Sequence, residues 1–99
     1  PSSLDFDKNL GCFDVDQLQF PLTVSKWKNG DKMQPLGMNG LKKISDILID
    51  KKVSSHEKKD VWVIKSNDII VWLVGFVVND NYKVTEKTKR CYKIKFNLR

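Results

Sequence analysis

VWVIKSNDIIVWLVG, residues 61–75, holds two β-prone apolar runs split by Ser66, Asn67 and Asp68. Branched and aromatic residues on either side of a short polar turn predict a hairpin. Its hydrophobicity is continuous rather than alternating, so both faces are expected to be covered. Further along, Asn79, Asp80 and Asn81 predict a turn, and Tyr92, Ile94, Phe96 and Leu98 alternate with Cys91, Lys93, Lys95 and Asn97. That alternation predicts a half-exposed strand with an apolar inner face and a partly basic outer one.

Toward the N-terminus, Ser54 or Ser55 can cap a second short helix containing Glu57 and Lys58. Leu41, Ile44, Ile47 and Leu48 fall at helical spacing and predict the main helix, about ten residues starting at Leu41, with Asn39 as its cap. Before it, Pro35, Gly37 and Gly40 lie within six positions and imply a shaped loop. Asn29, Gly30 and Asp31 predict a turn. In LTVSKWK, residues 22–28, Leu22 and Val24 share a strand face while Trp27 has the opposite parity, which predicts a bulge or an early strand end. Residues 1–13 show little pattern and are expected to be a linker or the end of a preceding domain, leaving residues 14–99 as the folded unit. No alanine occurs anywhere, which suits strands better than a helical bundle. The expected class is α+β: β-rich, with one main helix and a second short one.

Ninety-nine residues suffice for one domain with a modest core. The longest apolar run, Ile69 to Val74, is far short of a membrane span, and Pro1 and Ser2 open a polar, acidic stretch unlike a signal peptide. Cys12 and Cys91 lack metal spacing and are expected to be reduced thiols. The net charge of +6 is unevenly placed, with basic excess in residues 26–59 and 83–99 around a more acidic apolar centre. Two basic segments suggest a phosphate-binding face assembled by folding. The cations are nearly all Lys, which favours backbone phosphate contact over bidentate reading of bases.

Catalytic signatures are missing from the sequence. His56 is the only histidine, so a zinc site is not expected, and neither a P-loop, a dinucleotide fingerprint nor a serine elbow is present. His56 reads as a surface or cap residue, or as a phosphate contact beside Lys58 and Lys59. Asp46, Asp50 and Asp60 read as partners of nearby lysines. The phosphate candidates are Lys26, Lys28 and Lys32; Gly37, Gly40, Lys42 and Lys43, where a helix start offers unpaired amides; His56, Lys58 and Lys59; and Lys87, Lys89 and Arg90. A packing reading stands beside this one, with Gly37 and Gly40 allowing a close crossing of helix over sheet and Met33 and Met38 filling the core. Trp62 and Trp72 are expected in the core; Trp27, between Lys26 and Lys28, is expected at the surface, where it can stack on an unpaired base.

KWKNGDKMQPLGMNGLKKISDILIDKKV, residues 26–53, and IIVWLVGFVVNDNYKVTEKTKR, residues 69–90, resemble the C-terminal domain of bacterial tRNA(Ile)-lysidine synthetase. The likeness spans residues 14–98 and rests on the ordered GD, PLGM, KK, SD, ID, WxxG and KVT phrases. It implies a sandwich-like α/β core related to a domain of the phenylalanyl-tRNA synthetase β chain. It further implies a cytoplasmic, tRNA-processing ligase in which an N-terminal catalytic domain uses ATP and magnesium to join lysine to a wobble cytidine. The SGGxDS loop of that catalytic domain is missing here, so this part is expected to be non-catalytic and to hold tRNA near the acceptor stem. The resembling positions are Lys26, Lys28, Gly30, Asp31, Lys32, Pro35, Gly37, Gly40, Lys42, Lys43, Asp46, Asp50, Thr85, Thr88 and Arg90. The family favours Arg where this chain has Lys26, Lys28, Lys32 and Lys58, and Phe near Ile47 and Leu48. The alternative is a docking or homodimerisation module without RNA contact, and an independent enzyme ranks third.

Overall fold

Asn67 and Asp68 both occupy left-handed backbone, at φ +50° and +68°, a conformation that their short polar side chains tolerate and that matches the twist of a two-residue hairpin. The computed structural model describes residues 10–96. Around this turn, β5 (Trp62–Ser66) pairs with β6 (Ile69–Leu73) as the sequence predicts. With β2 (Leu22–Lys26) and β7 (Val77–Val78) they form an antiparallel sheet in the order β2-β5-β6-β7. β1 (Leu10–Asp14) pairs with β8 (Cys91–Lys95), and β3 (Lys32–Met33) with β4 (Lys42–Lys43). The single α-helix among the described residues, α1, spans Ile44–Asp50.

The continuous apolar run is explained by a covered sheet. Val63, Ile70 and Leu73 pack with Met33, Ile44, Ile47 and Leu48 on the helix side. Ile64, Val71 and Trp72 pack with Phe13 and Leu18 on the other side, against which Ile94 of β8 and Phe96 just after it also lie. Val71 and Trp72 are adjacent yet share a layer because the register slips between Ile64 and Lys65, placing an extra residue in β6. Phe13 meets the Trp72 ring edge-on, with centroids 5.8 Å apart.

Several expectations are corrected. Phe13 is fully buried and β1 is a paired strand, so residues 10–13 belong to the domain rather than to a linker; residues 1–9 lie outside the described residues, as do Asn97 and Leu98. The main helix starts three residues later than its apolar stripe suggested, because Lys42 and Lys43 are drawn into the ladder with β3, and Leu41 is 72 % exposed. Asn39 does not cap α1; the cap position is Lys43, without a side-chain bond, and the Ile44 N–H donates instead to the Asp31 carbonyl at 2.9 Å. Gly37 and Gly40 are not packing contacts either. Nothing lies within 4 Å of a Cβ built on either one, and their φ values of +83° and +100° supply the reason for glycine. Met33 is buried as expected, whereas Met38 is exposed.

Other expectations hold. β2 ends at Lys26, before the parity change at Trp27. Ser54 is the serine that caps the second short helix, a 3-10 turn over Glu57–Asp60: its hydroxyl accepts the Glu57 N–H, and Glu57 accepts the Ser54 N–H, both at 3.1 Å. Both cysteines are free thiols. The ladder sets Cys12 opposite Lys93 and Asp14 opposite Cys91, and burial, then the neighbouring Cys91, pushes the Cys12 thiol upward.

Asn79 joins two layers. Its side chain donates to the Ile70 carbonyl and accepts from the Asn81 N–H, each at 2.8 Å, while its own N–H reaches the Val71 carbonyl. Asn79→Ala is expected to cost about 2 kcal/mol, since a buried carbonyl loses its partner. Urea denaturation checks this through a lowered midpoint at unchanged slope.

Candidate nucleic-acid interface

The β3–β4 ribbon sets Lys32 directly opposite Lys43 and Met33 opposite Lys42. Side chains so paired have Cβ atoms about 5 Å apart, and like charges there repel. Met33 is buried, so the ribbon is pinned by its apolar side while Lys32 and Lys43 stand exposed on the other. Neither makes an ion pair among the described residues. Lys28 opens the turn that precedes β3, in which its carbonyl accepts the Asp31 N–H at 3.0 Å and its N–H donates to the Asp31 carboxylate at 2.8 Å. An anion between the Lys32 and Lys43 ammonium groups would relieve the repulsion that their pairing imposes.

The remaining candidates are distributed differently. Lys42 is tied to Asp50 across α1. Lys26 faces Asp60 at 3.5 Å and lies 5.5 Å over the Trp62 ring. His56 is exposed and makes no capping bond, Lys59 is exposed, and Lys58 is half-buried. Lys87, Lys89 and Arg90 sit in the segment leading into β8, where Arg90 faces Asp16 at 3.9 Å. That segment belongs to the layer across the central sheet from β3 and β4, so the two basic groups are not laid out as one strip beside α1.

The amide cradle expected at the helix start is corrected. The Gly37 N–H already donates to Asp80 at 2.9 Å, the Ile44 N–H is taken by Asp31, and Lys42 and Lys43 precede α1 rather than riding on it. Trp27 is likewise no exposed platform. Its indole N–H donates to the Lys58 carbonyl at 2.7 Å and its ring packs against the helix-side core. Trp72 is buried as expected, while Trp62 is half-buried, tilted against Phe96 at 5.9 Å.

Asp80, read from sequence only as a turn residue, anchors the glycine loop. The Gly37 N–H, then Lys83 at 2.9 Å, hold its carboxyl below the ordinary value of 3.8. A carboxyl lowered by folding stabilises above its unfolded value, and that contribution disappears as pH falls through the folded one. The stability difference between the native chain and Asp80→Asn is therefore expected to be full at pH 6, to shrink as pH falls below about 3.8 and to close only below the lowered folded value, so that it is smaller at pH 3 than at pH 6. Urea midpoints at pH 6 and pH 3 check it.

Residues 22–96 match the family described as the TilS substrate C-terminal domain. The chain belongs to this family. A tRNA(Ile)-lysidine synthase of Parabacteroides distasonis is 41 % identical over 93 residues, covering 94 % of this chain and 21 % of that protein. A Clostridium perfringens tRNA(Ile)-lysidine synthase is 38 % identical over 90 residues, covering 91 % of this chain and 19 % of that protein. The chain thus spans about a fifth of the length of these curated relatives. A crystal structure of a TilS C-terminal domain superposes with a TM-score of 0.73 at 22 % identity, covering 94 % of this chain and 71 % of that one. An N-terminal fragment of the phenylalanyl-tRNA synthetase β-subunit from Pyrococcus horikoshii gives 0.72 at 20 %, covering 85 % and 26 %. Both share the TilS C-terminal fold, as the sequence resemblance implies.

Proposed function

We propose that this TilS-type domain holds tRNA, near the acceptor stem, for a tRNA(Ile)-lysidine synthase whose chemistry lies in another part of the polypeptide. The observation that carries the reading is the pair Lys32 and Lys43, two exposed cations fixed opposite each other with no anionic partner among the described residues. Phosphates of an RNA backbone supply the missing charge, and flexible ammonium groups suit contact with backbone rather than bases. An A-form acceptor stem offers phosphates and 2′-hydroxyls to such a surface.

In this reading the N-terminal catalytic domain of the same protein binds ATP and magnesium and joins lysine to the wobble cytidine, in the cytoplasm. Among the described residues no group of three or more His, Cys, Asp or Glu is placed to hold a metal ion. No helix among them is long and apolar enough to cross a membrane.

A docking or homodimer reading is favoured by a different feature, an apolar groove of about 400 Å³ whose walls include Leu10, Leu36, Trp72, Val77 and Val84. Two other surfaces are less suited to docking: Trp27 is packed inward and the outer face of β8 carries Lys93 and Lys95. Titrating the chain with an acceptor-stem RNA at low salt, alongside sedimentation of the chain alone, separates the readings. RNA binding by a monomer supports the first; a self-associating chain that ignores RNA supports the second.

A further inference from the structure

At the end of the β5–β6 hairpin away from its turn, a cleft of about 490 Å³ opens beside the end of α1. Trp62, Phe76 and Phe96 line it, with Lys26 over the Trp62 ring and Phe96 tilted against it, and Lys51 and Lys52 stand on its helix side. Neither lysine makes an ion pair among the described residues. Lys52 lies at φ +60°, held there by the helix ending in which the Val53 N–H returns to the Leu48 carbonyl at 3.0 Å. Such an ending favours glycine, so the side chain at this position is not what the turn requires. The carboxylates of the cleft are engaged by the protein: Asp60 faces Lys26, and Glu57 accepts the Ser54 N–H.

We infer that this cleft takes one unpaired nucleotide, its base against the rings and its phosphate toward Lys51 and Lys52; as a contact to an RNA end, this rests on the RNA-holding reading above. Aromatic faces beside cations are the recurring means of holding single-stranded nucleic acid, and every base has a face to stack. The volume suits a single nucleotide. A paired base is stacked inside its helix and cannot enter, so the ligand is either an unpaired nucleotide of an RNA or a free mononucleotide. The glycine loop and the Lys32–Lys43 pair are separate from this cleft, which gives the two sites independent tests.

The experiment titrates the 99-residue chain with three probes: a blunt acceptor-stem duplex, the same duplex with a short 3′ overhang containing 2-aminopurine, and AMP. The overhang is expected to raise affinity about tenfold and to quench the 2-aminopurine by stacking. Phe96→Leu, and separately Lys51→Gln with Lys52→Gln, should abolish that gain while leaving the blunt duplex bound; the lysine variant stands in if the aromatic one fails to fold. AMP binding that the same variants abolish, without any gain from the overhang, supports the cleft with a free nucleotide as its ligand. No overhang gain, no quenching and no AMP binding overturns the inference. If the blunt duplex binds nonetheless, the RNA-holding reading survives; if no probe binds, both fall.

Discussion

Lys32→Glu combined with Lys43→Glu is expected to weaken acceptor-stem binding by on the order of a hundredfold at about 50 mM salt. Each neutralised phosphate contributes about 0.9 log units of affinity per decade of salt, so two contacts account for roughly two log units at that concentration. The matching control is Lys93→Glu with Lys95→Glu, which changes net charge equally on the outer face of the β1–β8 ribbon, across the central sheet. It should lose much less. Equal losses in the two variants would mean that net charge alone attracts the RNA. The single change Lys43→Glu adds a sharper signature, because it turns the like-charge pair opposite Lys32 into an ion pair. Stability should rise by a few tenths of a kcal/mol while RNA affinity falls, a pattern that general damage to the fold does not produce.

Phe13→Ala is expected to cost about 3–5 kcal/mol, the usual range for removing a buried ring. A domain of this size has roughly 5–15 kcal/mol in total, so much of the chain would unfold under mild conditions. The reason is position: Phe13 carries the fully buried side chain of β1 in the layer that joins the ribbon to Trp72. Leu41→Ala, by contrast, should change stability by less than about 0.5 kcal/mol, since Leu41 stands exposed. The apolar stripe in the sequence puts Leu41 in the core and leaves Phe13 in a linker, so chemical denaturation of both variants tests the fold against that pattern directly.

The difference between these two residues shows where the sequence can be read and where it cannot. The β5–β6 hairpin was legible because its turn chemistry is local: Asn67 and Asp68 tolerate the left-handed backbone that the turn needs. The Ser54–Glu57 capping box was legible for the same reason. β1 was not, because its partner β8 lies some eighty residues away and a five-residue strand containing Gly11 and Cys12 carries no strong pattern of its own. The helix start was misplaced because pairing with β3 competes for Lys42 and Lys43, and that contact is tertiary.

At the candidate site, the basic segments are visible as charge and include both Lys32 and Lys43, but their opposition across a ladder requires the fold. Asp80, which occupies the Gly37 amide, shows why glycine spacing alone overstated the anion cradle. Lys51 and Lys52 lie in the same basic segment, but nothing local says that Phe96 arrives beside them. Family membership came from the ordered phrases rather than from any single motif, and the match over residues 22–96 bears it out.

The measurement that tests the central claim most directly is the salt dependence of the chain's affinity for an acceptor-stem RNA. If phosphates held by Lys32, Lys43 and their neighbours supply the binding, log affinity falls linearly with log salt, with a slope of about −2 or steeper that becomes shallower by about 2 when both lysines are replaced. A flat slope, or a slope unchanged in that variant, would contradict the claim.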